Sequence, residues 1–222
     1  MPIDDPVLAI LGGTGKEGTG LALRWAAAGY KILIGSRQAE RAGKVAEEIN
    51  QRLGKKVAFG SENSQAAQQA DICVLTVTHS AHQQALESLK EDLVGKILVD
   101  ATSRVDYRDP VPPKPPCAAE IAQDLLGPSV RVVAAFQNIP AKSLPTGIGQ
   151  KLEADVLICS DDLQAAEEVA QLANAAGMRG YYAGGLANAI IVEGLTSILI
   201  SINRYYGVKD ASIRVTGIPD SG

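Results

Sequence analysis

The chain has 222 residues, of which 46% are hydrophobic and 21% are charged. A chain of this length buries roughly 70–75% of the surface that its unfolded form exposes, so it needs neither disulfides nor a metal to hold a core. Its net charge of −4 argues against a nucleic-acid surface or an anionic membrane surface, because both bind clustered Lys and Arg.

The first 136 residues alternate between strand-like and helix-like patterns. Short apolar runs rich in β-branched residues predict strands at residues 7–12, 31–35, 57–59, 71–78, 96–102 and 130–136. Helical spacing between them predicts helices at residues 17–28, 38–53, 63–70, 82–89 and 117–126. Gly29 is placed to end the first of these helices. This alternation predicts an α/β fold, a Rossmann-type doubly wound parallel sheet with right-handed crossovers.

A proline-rich segment interrupts the alternation, and a second unit follows. The segment "DPVPPKPP", residues 109–116, predicts a stiff extended loop. After a crossing segment, the second unit is predicted to contain a strand at 154–162, a helix at 163–176, a turn or strand at 180–185 and a long apolar helix at 187–205. We therefore expect a dinucleotide-binding domain over residues 1–148 and a small C-terminal α/β domain over residues 149–222.

Cysteine usage and the N-terminus indicate the compartment. Cys73, Cys117 and Cys159 have no metal-ligand spacing, and we expect small buried side chains, no metal site and a reducing environment. The start "MPIDDPVLAI" is acidic where a signal peptide needs basic residues, and no run reaches the ~18 apolar residues of a membrane span. We expect a cytoplasmic protein with no membrane or nucleic-acid partner.

A glycine turn joins the first strand to the first helix. The sequence from Gly13 through Gly15 to Gly18 fits G-x-G-x-x-G in the strand–turn–helix context that the motif requires. Glycines at these positions permit a tight turn, a close approach of the backbone to pyrophosphate, and close packing of helix on strand. The helix N-terminus adds N–H donors for the anion, so the turn predicts a bound dinucleotide.

The end of the second strand indicates which dinucleotide. An acidic residue there would accept from the ribose hydroxyls and repel a 2′-phosphate, but residues 35–38 contain none. Ser36 can donate a hydrogen bond, and Arg37 offers a charge-assisted, two-pronged contact. Arg41 lies one turn into the next helix and can close on the same phosphate. The pattern favours NADP over NAD, with ordinary surface charges as the alternative reading of the two arginines.

Six blocks of sequence together resemble one family. They are "LGGTGKEGTGLALRWA", "GSRQAERA", "VLTVTHSAH", "AAEIAQDL", "VAAFQNIPA" and "NAIIVEGLTSILISINRYYGV". In this order and spacing they resemble the NADPH-dependent reductases of coenzyme F420, an 8-hydroxy-5-deazaflavin; these enzymes are also called F420:NADP oxidoreductases. The last block weighs most, because a general dinucleotide-binding domain has no reason to share it.

The resemblance implies an enzyme that passes a hydride directly between NADP(H) and coenzyme F420, with no catalytic side chain and no metal. It implies a deazaflavin cleft between the two domains and a homodimer with the C-terminal helix near the subunit contact. The cofactor-binding residues that it implies are Gly13, Thr14, Gly15, Lys16, Glu17, Ser36, Arg37, Arg41, His79, Gln83 and Ala141. The deazaflavin cleft is expected to include Gln137 and Asn138.

The chain departs from the family in two places. Gln137 stands where archaeal members carry His near the deazaflavin, and the loop at residues 103–116 is unusually rich in proline. The first departure bears on the details of deazaflavin recognition, and the second bears on the identity of the acceptor. Two alternative functions stay open. The protein could be an NADPH-dependent flavin or ferric reductase, or a non-catalytic NADP-sensing module. Turnover with FMN would indicate the flavin reductase. Tight NADP binding without turnover would indicate the sensing module.

Several other polar residues have two readings. His79 follows the fourth strand and can reach the nicotinamide or remain at the surface, whereas His82 is expected to face the helix surface. Gln137 and Asn138 can hydrogen-bond a cofactor or satisfy local backbone. Glu193, inside an apolar helix, is either a buried, paired carboxylate or an interface contact, since burial without a partner is costly.

Overall fold

A computed structural model describes residues 6–218. Its main sheet has six parallel strands in the order β3-β2-β1-β4-β5-β6. The strands are β1 Leu8–Leu11, β2 Ile32–Ser36, β3 Ala58–Glu62, β4 Ile72–Leu75, β5 Ile97–Asp100 and β6 Arg131–Ala134. The order reverses between β1 and β4, which places the expected ligand crevice beyond the carboxyl ends of these two strands.

Helices cover both faces of the sheet. They are α1 Lys16–Ala28, α2 Ala39–Leu53, α3 Asn63–Gln69, α4 His79–Leu89 and α5 Ala118–Leu126. Alternate residues of β1, β2, β4, β5 and β6 enter two separate hydrophobic clusters, so that Ile10 lies in one and Leu11 in the other. Two-sided burial explains why β1, β2, β4 and β5 consist of completely buried residues. The predicted doubly wound fold is confirmed.

Most element boundaries lie within three residues of those predicted. Helix α1 ends at Gly29, whose φ of 110° is left-handed and whose N–H donates to the Ala26 carbonyl, while the following N–H, of Tyr30, donates to the Trp25 carbonyl. Helix α4 begins at His79, three residues earlier than predicted. The loop from 103 to 116 contains no helix or strand, as the prolines require.

A second unit follows β6. It contains β7 Asp155–Ile158, α6 Leu163–Ala175, β8 Arg179–Tyr182, a 3-10 turn Leu186–Asn188 and α7 Ala189–Tyr206. Strands β7 and β8 form a parallel pair, and an antiparallel bridge between Ala134 and Cys159 attaches this pair to β6. One hydrophobic cluster contains residues from both units, from Trp25 to Leu172. The domain division at residue 148 stays a prediction.

Arg24 ties the crossing segment to the two units. Its buried guanidinium donates to the carbonyls of Leu144 at 2.7 Å, Thr146 at 2.6 Å, Ala176 at 2.9 Å and Gln150 at 3.2 Å. Burial lowers the pKa of Arg24 from its usual value, but four carbonyl acceptors compensate for part of the lost hydration. This arginine therefore fixes residues 144–150 against α1.

One side of helix α7 is buried, and the other side is exposed but also carries apolar residues. Val192, Glu193 and Thr196 are buried, whereas Ile191 and Ile198 are 69% and 51% exposed. The segment Leu186–Tyr206 is long and apolar enough to cross a membrane by length and composition, and 44% of its window is buried inside the protein. One such helix is weak evidence of a membrane span, because core helices meet the same criterion.

Candidate functional site

The glycine turn is closed by contacts that leave no room for side chains. The left-handed residue is Gly12, with a φ of 71°, and the adjoining Gly13 N–H donates to the Gly35 carbonyl at 3.0 Å. A Cβ on Gly13 would lie 2.6 Å from the Ile10 carbonyl oxygen. A Cβ on Gly18 would lie 2.8 Å from the Gly13 Cα, so this glycine allows α1 to pack on the turn.

Gly15 faces open space. No described atom lies within 4 Å of a Cβ built on it, so a ligand can approach the backbone here. Gly15 is the N-cap of α1, and no side chain in the described part of the chain caps this end. The amide groups of the first turn and the helix dipole therefore favour an anion at this point.

Glu17 lies in the first turn of α1, beside that anion site. Burial, and to a smaller extent the charge of Asp100, raise its pKa from 4.5 to about 8. A carboxyl with this pKa is largely protonated at neutral pH. In that form it does not repel a pyrophosphate, and it can donate a hydrogen bond.

Ser36, Arg37 and Arg41 lie at the next strand end. Ser36 is buried, and its Oγ accepts from the Gln38 N–H at 3.2 Å, which shapes the turn into α2. Arg37 and Arg41 are both exposed, and neither side chain forms an ion pair within residues 6–218. Two cations that no described carboxylate neutralises are therefore available to a phosphate.

A buried polar network at the end of β5 forms the floor of the expected crevice. Asp100 is fully buried, and its Oδ2 lies 2.6 Å from Nε2 of His82. Asp100 Oδ1 accepts from the Thr102 N–H at 2.9 Å, and the Asp100 carbonyl accepts from Gln137 Nε2 at 2.8 Å. Three elements are thus joined through one aspartate.

The prediction that His82 faces the helix surface is wrong. His82 is buried on the same face of α4 as Leu86 and Leu89, four and seven residues later. A histidine on this face lies over the sheet, where Asp100 supplies its hydrogen-bond partner. The spacing of His82 with the two leucines was the signal in the sequence that could have placed it.

Gln137 and Asn138 have different surroundings although they are adjacent. Asn138 Nδ2 donates to the Asp155 carbonyl at 2.7 Å, so its amide serves the backbone of β7. Gln137 uses only its Nε2, and its Oε1 is buried with no hydrogen-bond partner among the described residues. The hydroxyl of Thr102 is buried and unpartnered in the same way.

The remaining predicted positions lie around the rim. His79 and Gln83 are exposed in the first two turns of α4, and Gln83 Nε2 donates to Glu87 at 2.8 Å. Ala141 is half-buried in the turn after Pro140. Within residues 6–218, no group of three or more His, Cys, Asp or Glu side chains could hold a metal ion.

The proline-rich loop, residues 103–116, is held by α7. Glu193 is 1% exposed and accepts from Arg104 Nε at 2.9 Å and from the Ala118 N–H at 3.0 Å, so it is a buried, paired carboxylate. The backbone carbonyl of Tyr107, further along the loop, accepts from Arg204 of α7. The loop is therefore tied to α7 at two points.

Three comparisons with known proteins agree with this geometry. The family model described as "NADP oxidoreductase coenzyme F420-dependent" matches residues 7–104. The chain is 38% identical to the F420-dependent NADP reductase of Methanothermobacter thermautotrophicus, over 96% of each chain. It is 37% identical to the Methanocaldococcus jannaschii enzyme of the same name, over 95% of this chain and 98% of the relative. This chain belongs to the F420-dependent NADP reductase family.

A second group of relatives matches this chain over only part of the relatives' own length. The metalloreductase STEAP3 of Rattus norvegicus is 31% identical over 88% of this chain, which corresponds to 37% of the metalloreductase. Among solved structures, a protein of Arthrobacter sp. FB24 provisionally assigned as an F420-dependent NADP reductase has a TM-score of 0.80 at 23% identity. It covers 96% of this chain and 100% of that one, and at this identity it supports the fold alone.

Proposed function

We propose that this protein is an NADPH:coenzyme F420 oxidoreductase, which transfers a hydride between NADP(H) and the deazaflavin. The observation that carries the proposal is the similarity to F420-dependent NADP reductases over 96% of both chains. A match of this length includes α7 and the crossing segment as well as the glycine turn. It therefore covers parts that a nucleotide-binding fold alone does not need.

The geometry supports NADP as one substrate. Thr14, Gly15, Lys16 and Glu17 surround the uncapped start of α1, and we assign them to the pyrophosphate. Ser36, Arg37 and Arg41 are assigned to the 2′-phosphate, because two exposed cations and a hydroxyl stand where NAD-binding proteins place an acid. His79, Gln83 and Ala141 are assigned to the nicotinamide end.

The reaction itself needs little from the side chains. NADPH supplies a hydride from the nicotinamide C4, and the deazaflavin accepts it at C5. The protein's contribution is to hold the two rings in contact, to orient them and to exclude water. The floor residues Gln137 and Thr102, together with the proline-rich loop, are suited to that task because they are fixed by buried hydrogen bonds.

The direct test is spectroscopic. Oxidised coenzyme F420 is mixed with purified protein and NADPH, and loss of the deazaflavin's visible absorbance is followed. NADH then replaces NADPH, and FMN replaces coenzyme F420, one at a time. Rapid bleaching that requires NADPH and coenzyme F420 together supports the proposal. Reduction of FMN with no change in the deazaflavin contradicts it, as does NADPH binding with no reduction of either acceptor.

A flavin or ferric reductase is the second candidate. The similarity to a metalloreductase over 88% of this chain favours it. The chain matches 37% of the metalloreductase, and free flavin and chelated ferric ion are the acceptors to test. The FMN arm of the assay decides between the candidates.

We propose a homodimer that forms through α7. The exposed side of this helix carries Ile191, Ile198 and Ile202, and an open groove lies between the helix and Pro110 and Pro112. Apolar surface of this kind is typical of subunit contacts. We propose the cytoplasm as the compartment, which fits three cysteines that are all buried and unbridged.

A further inference from the structure

We propose that Asn63 is a positioning residue for NADP, which fixes the distance between two phosphate-binding parts of the crevice. One part is the pyrophosphate subsite at residues 14–17. The other is the 2′-phosphate subsite, formed by Ser36, Arg37 and Arg41. The inference rests on the proposed function and goes further, because it assigns a residue that holds the two subsites relative to each other.

The side chain of Asn63 passes over the end of one strand to reach the next. Asn63 directly follows β3, and its Oδ1 accepts from the Gly12 N–H, directly after β1, at 3.0 Å. Strand β2 lies between β3 and β1 in the sheet. The amide therefore joins the ends of two strands that are not neighbours.

Gly35 of β2 leaves the space that the amide occupies. A Cβ built on Gly35 would lie 2.7 Å from Asn63 Oδ1 and 3.2 Å from Asn63 Cα, and both distances are shorter than ordinary contacts. A side chain at position 35 would thus collide with Asn63. The Gly35 carbonyl also accepts from the Gly13 N–H at 3.0 Å. The glycine turn and the ends of β2 and β3 therefore meet at one point.

The residues that meet here stand next to the two phosphate subsites in the chain. Gly12 lies two residues before Thr14, and Gly35 directly precedes Ser36. On its other side Gly12 is closed in by Val77, because a Cβ on Gly12 would lie 2.6 Å from Val77 Cγ1. A movement of the turn relative to β2 would therefore change the distance between the subsites.

NADP is the ligand that depends on this distance. Its 2′-phosphate and its pyrophosphate are attached to the same ribose, so covalent bonds fix their separation. Both groups bind at full strength only if the protein holds the subsites at the matching distance beforehand. A ligand that carries only one of the two groups can occupy its own subsite whatever that distance is. Asn63 therefore contributes to NADP affinity by coupling the subsites.

The experiment compares ligands that occupy one subsite or both. NADP⁺ occupies both, NAD⁺ occupies only the pyrophosphate subsite, and adenosine 2′-monophosphate occupies only the 2′-phosphate subsite. Calorimetry measures the binding of NADP⁺, and displacement of NADP⁺ measures the two weaker ligands. Asn63→Leu removes the acceptor at similar volume, and Gly35→Ala disturbs the same contact from the other side. Asn63→Ala replaces the leucine variant if that variant does not fold.

Asn50→Leu is the matched control. Asn50 lies on α2, and its Oδ1 accepts from the N–H groups of Val57 and Ala58 at 2.9 Å each. Like Asn63, it is an asparagine that holds backbone, but it acts at the opposite end of β3. Asn50→Leu is expected to lower the melting temperature and to leave the relative affinities for the three ligands unchanged.

Asn63→Leu is expected to weaken NADP⁺ binding roughly fivefold, the size of one net hydrogen bond, while each single-subsite ligand changes by less than about twofold. Gly35→Ala should show the same selective loss. The inference is wrong if NADP⁺ binding is unchanged in both variants. It is also wrong if NADP⁺ and either single-subsite ligand weaken by the same factor, because Asn63 would then support one subsite or the fold as a whole.

The two proposals can fail separately. The titrations need no acceptor, so they measure the coupling even if coenzyme F420 is never reduced. Normal reduction of the coenzyme by the wild type, together with equal weakening of all three ligands in Asn63→Leu, retains the proposed function and rejects the role of Asn63. A wild type that binds NADP⁺ no more tightly than NAD⁺ contradicts the assignment of NADP itself.

Discussion

His82 on α4 and Asp100 at the end of β5 form a buried pair, with His82 Nε2 2.6 Å from Asp100 Oδ2. Their side chains are 3% and 0% exposed, so water cannot substitute for either partner. The same aspartate holds Thr102 and Gln137 through separate atoms. The histidine therefore stabilises the floor of the expected crevice.

The first prediction concerns this pair. His82→Ala should destabilise the protein by about 3–5 kcal/mol, because it leaves the Asp100 carboxylate buried without its main partner. The measurement is urea unfolding followed by circular dichroism. Gln84→Ala, at an exposed position of the same helix, should change the free energy of unfolding by less than about 0.5 kcal/mol. Equal stability of the two variants would contradict the assigned role of His82.

The second prediction is a pH dependence caused by Glu17. Its pKa rises from 4.5 in the unfolded chain to about 8 in the folded protein, so the folded state binds the extra proton between these values. The contribution of Glu17 to the free energy of unfolding is therefore largest below about pH 4.5, and it falls as the pH rises towards 8. Glu17→Gln removes the titration and should flatten the decline.

The measurement is the melting temperature of both proteins at about pH 5 and about pH 8.5. Glu17→Gln should match the wild type at the lower pH and exceed it at the higher one. Glu40→Gln serves as control, since Glu40 is an exposed acid in the first turn of α2. If the difference in melting temperature between wild type and Glu17→Gln is the same at both pH values, the Glu17 carboxyl is ionised at both.

The third prediction tests the 2′-phosphate site. Arg37→Ala should raise the KM for NADPH by about tenfold or more, because a charge-assisted hydrogen bond to phosphate is worth about 1.5–3 kcal/mol. Use of NADH should hardly change, since NADH lacks that phosphate. Arg41→Ala should also raise the KM for NADPH, but by a smaller factor. Lys44 is an exposed cation further along α2, and Lys44→Ala should leave the KM for NADPH unchanged. If Arg37→Ala raises the KM for NADPH and the KM for NADH by the same factor, the assignment of Arg37 to the 2′-phosphate is wrong.

Local sequence patterns were sufficient for the sheet and the glycine turn. Strand and helix periodicity, glycine spacing and the absence of an acid after β2 are all short-range signals, and each strand was predicted in the right place. Gly12, the left-handed glycine of the turn, was not singled out from the sequence, because it lies just before the motif.

Long-range pairs could not be predicted in the same way. The carboxylate of Glu193 is bonded to Arg104, 89 residues away, and Asp100 to His82 across an intervening loop. Their side chains meet only because the fold brings α7 and α4 to the same sheet edge. An aspartate at the carboxyl end of a buried strand was the available hint for Asp100, whereas Thr102 carried none.

The last prediction concerns the exposed face of α7. Ile198 is 51% exposed beside the groove formed with Pro110 and Pro112, and in the proposed dimer it would be buried. Ile198→Asp should convert the wild-type dimer to a monomer, because it places a charge in an apolar contact. The measurement is light scattering after size-exclusion chromatography, over a range of protein concentrations.

Val94→Asp is the matched control for that substitution. Val94 is 55% exposed, close to the 51% of Ile198, but it lies in the turn before β5 and not on α7. This variant should remain dimeric, which separates an effect of the α7 face from a general effect of an added acid. A wild-type protein that is monomeric at all concentrations would refute the proposed dimer, and a dimer unaffected by Ile198→Asp would place the contact elsewhere. Because the helix also meets the length and hydropathy of a membrane span, flotation of the wild type with lipid vesicles would instead indicate that lipid covers this face.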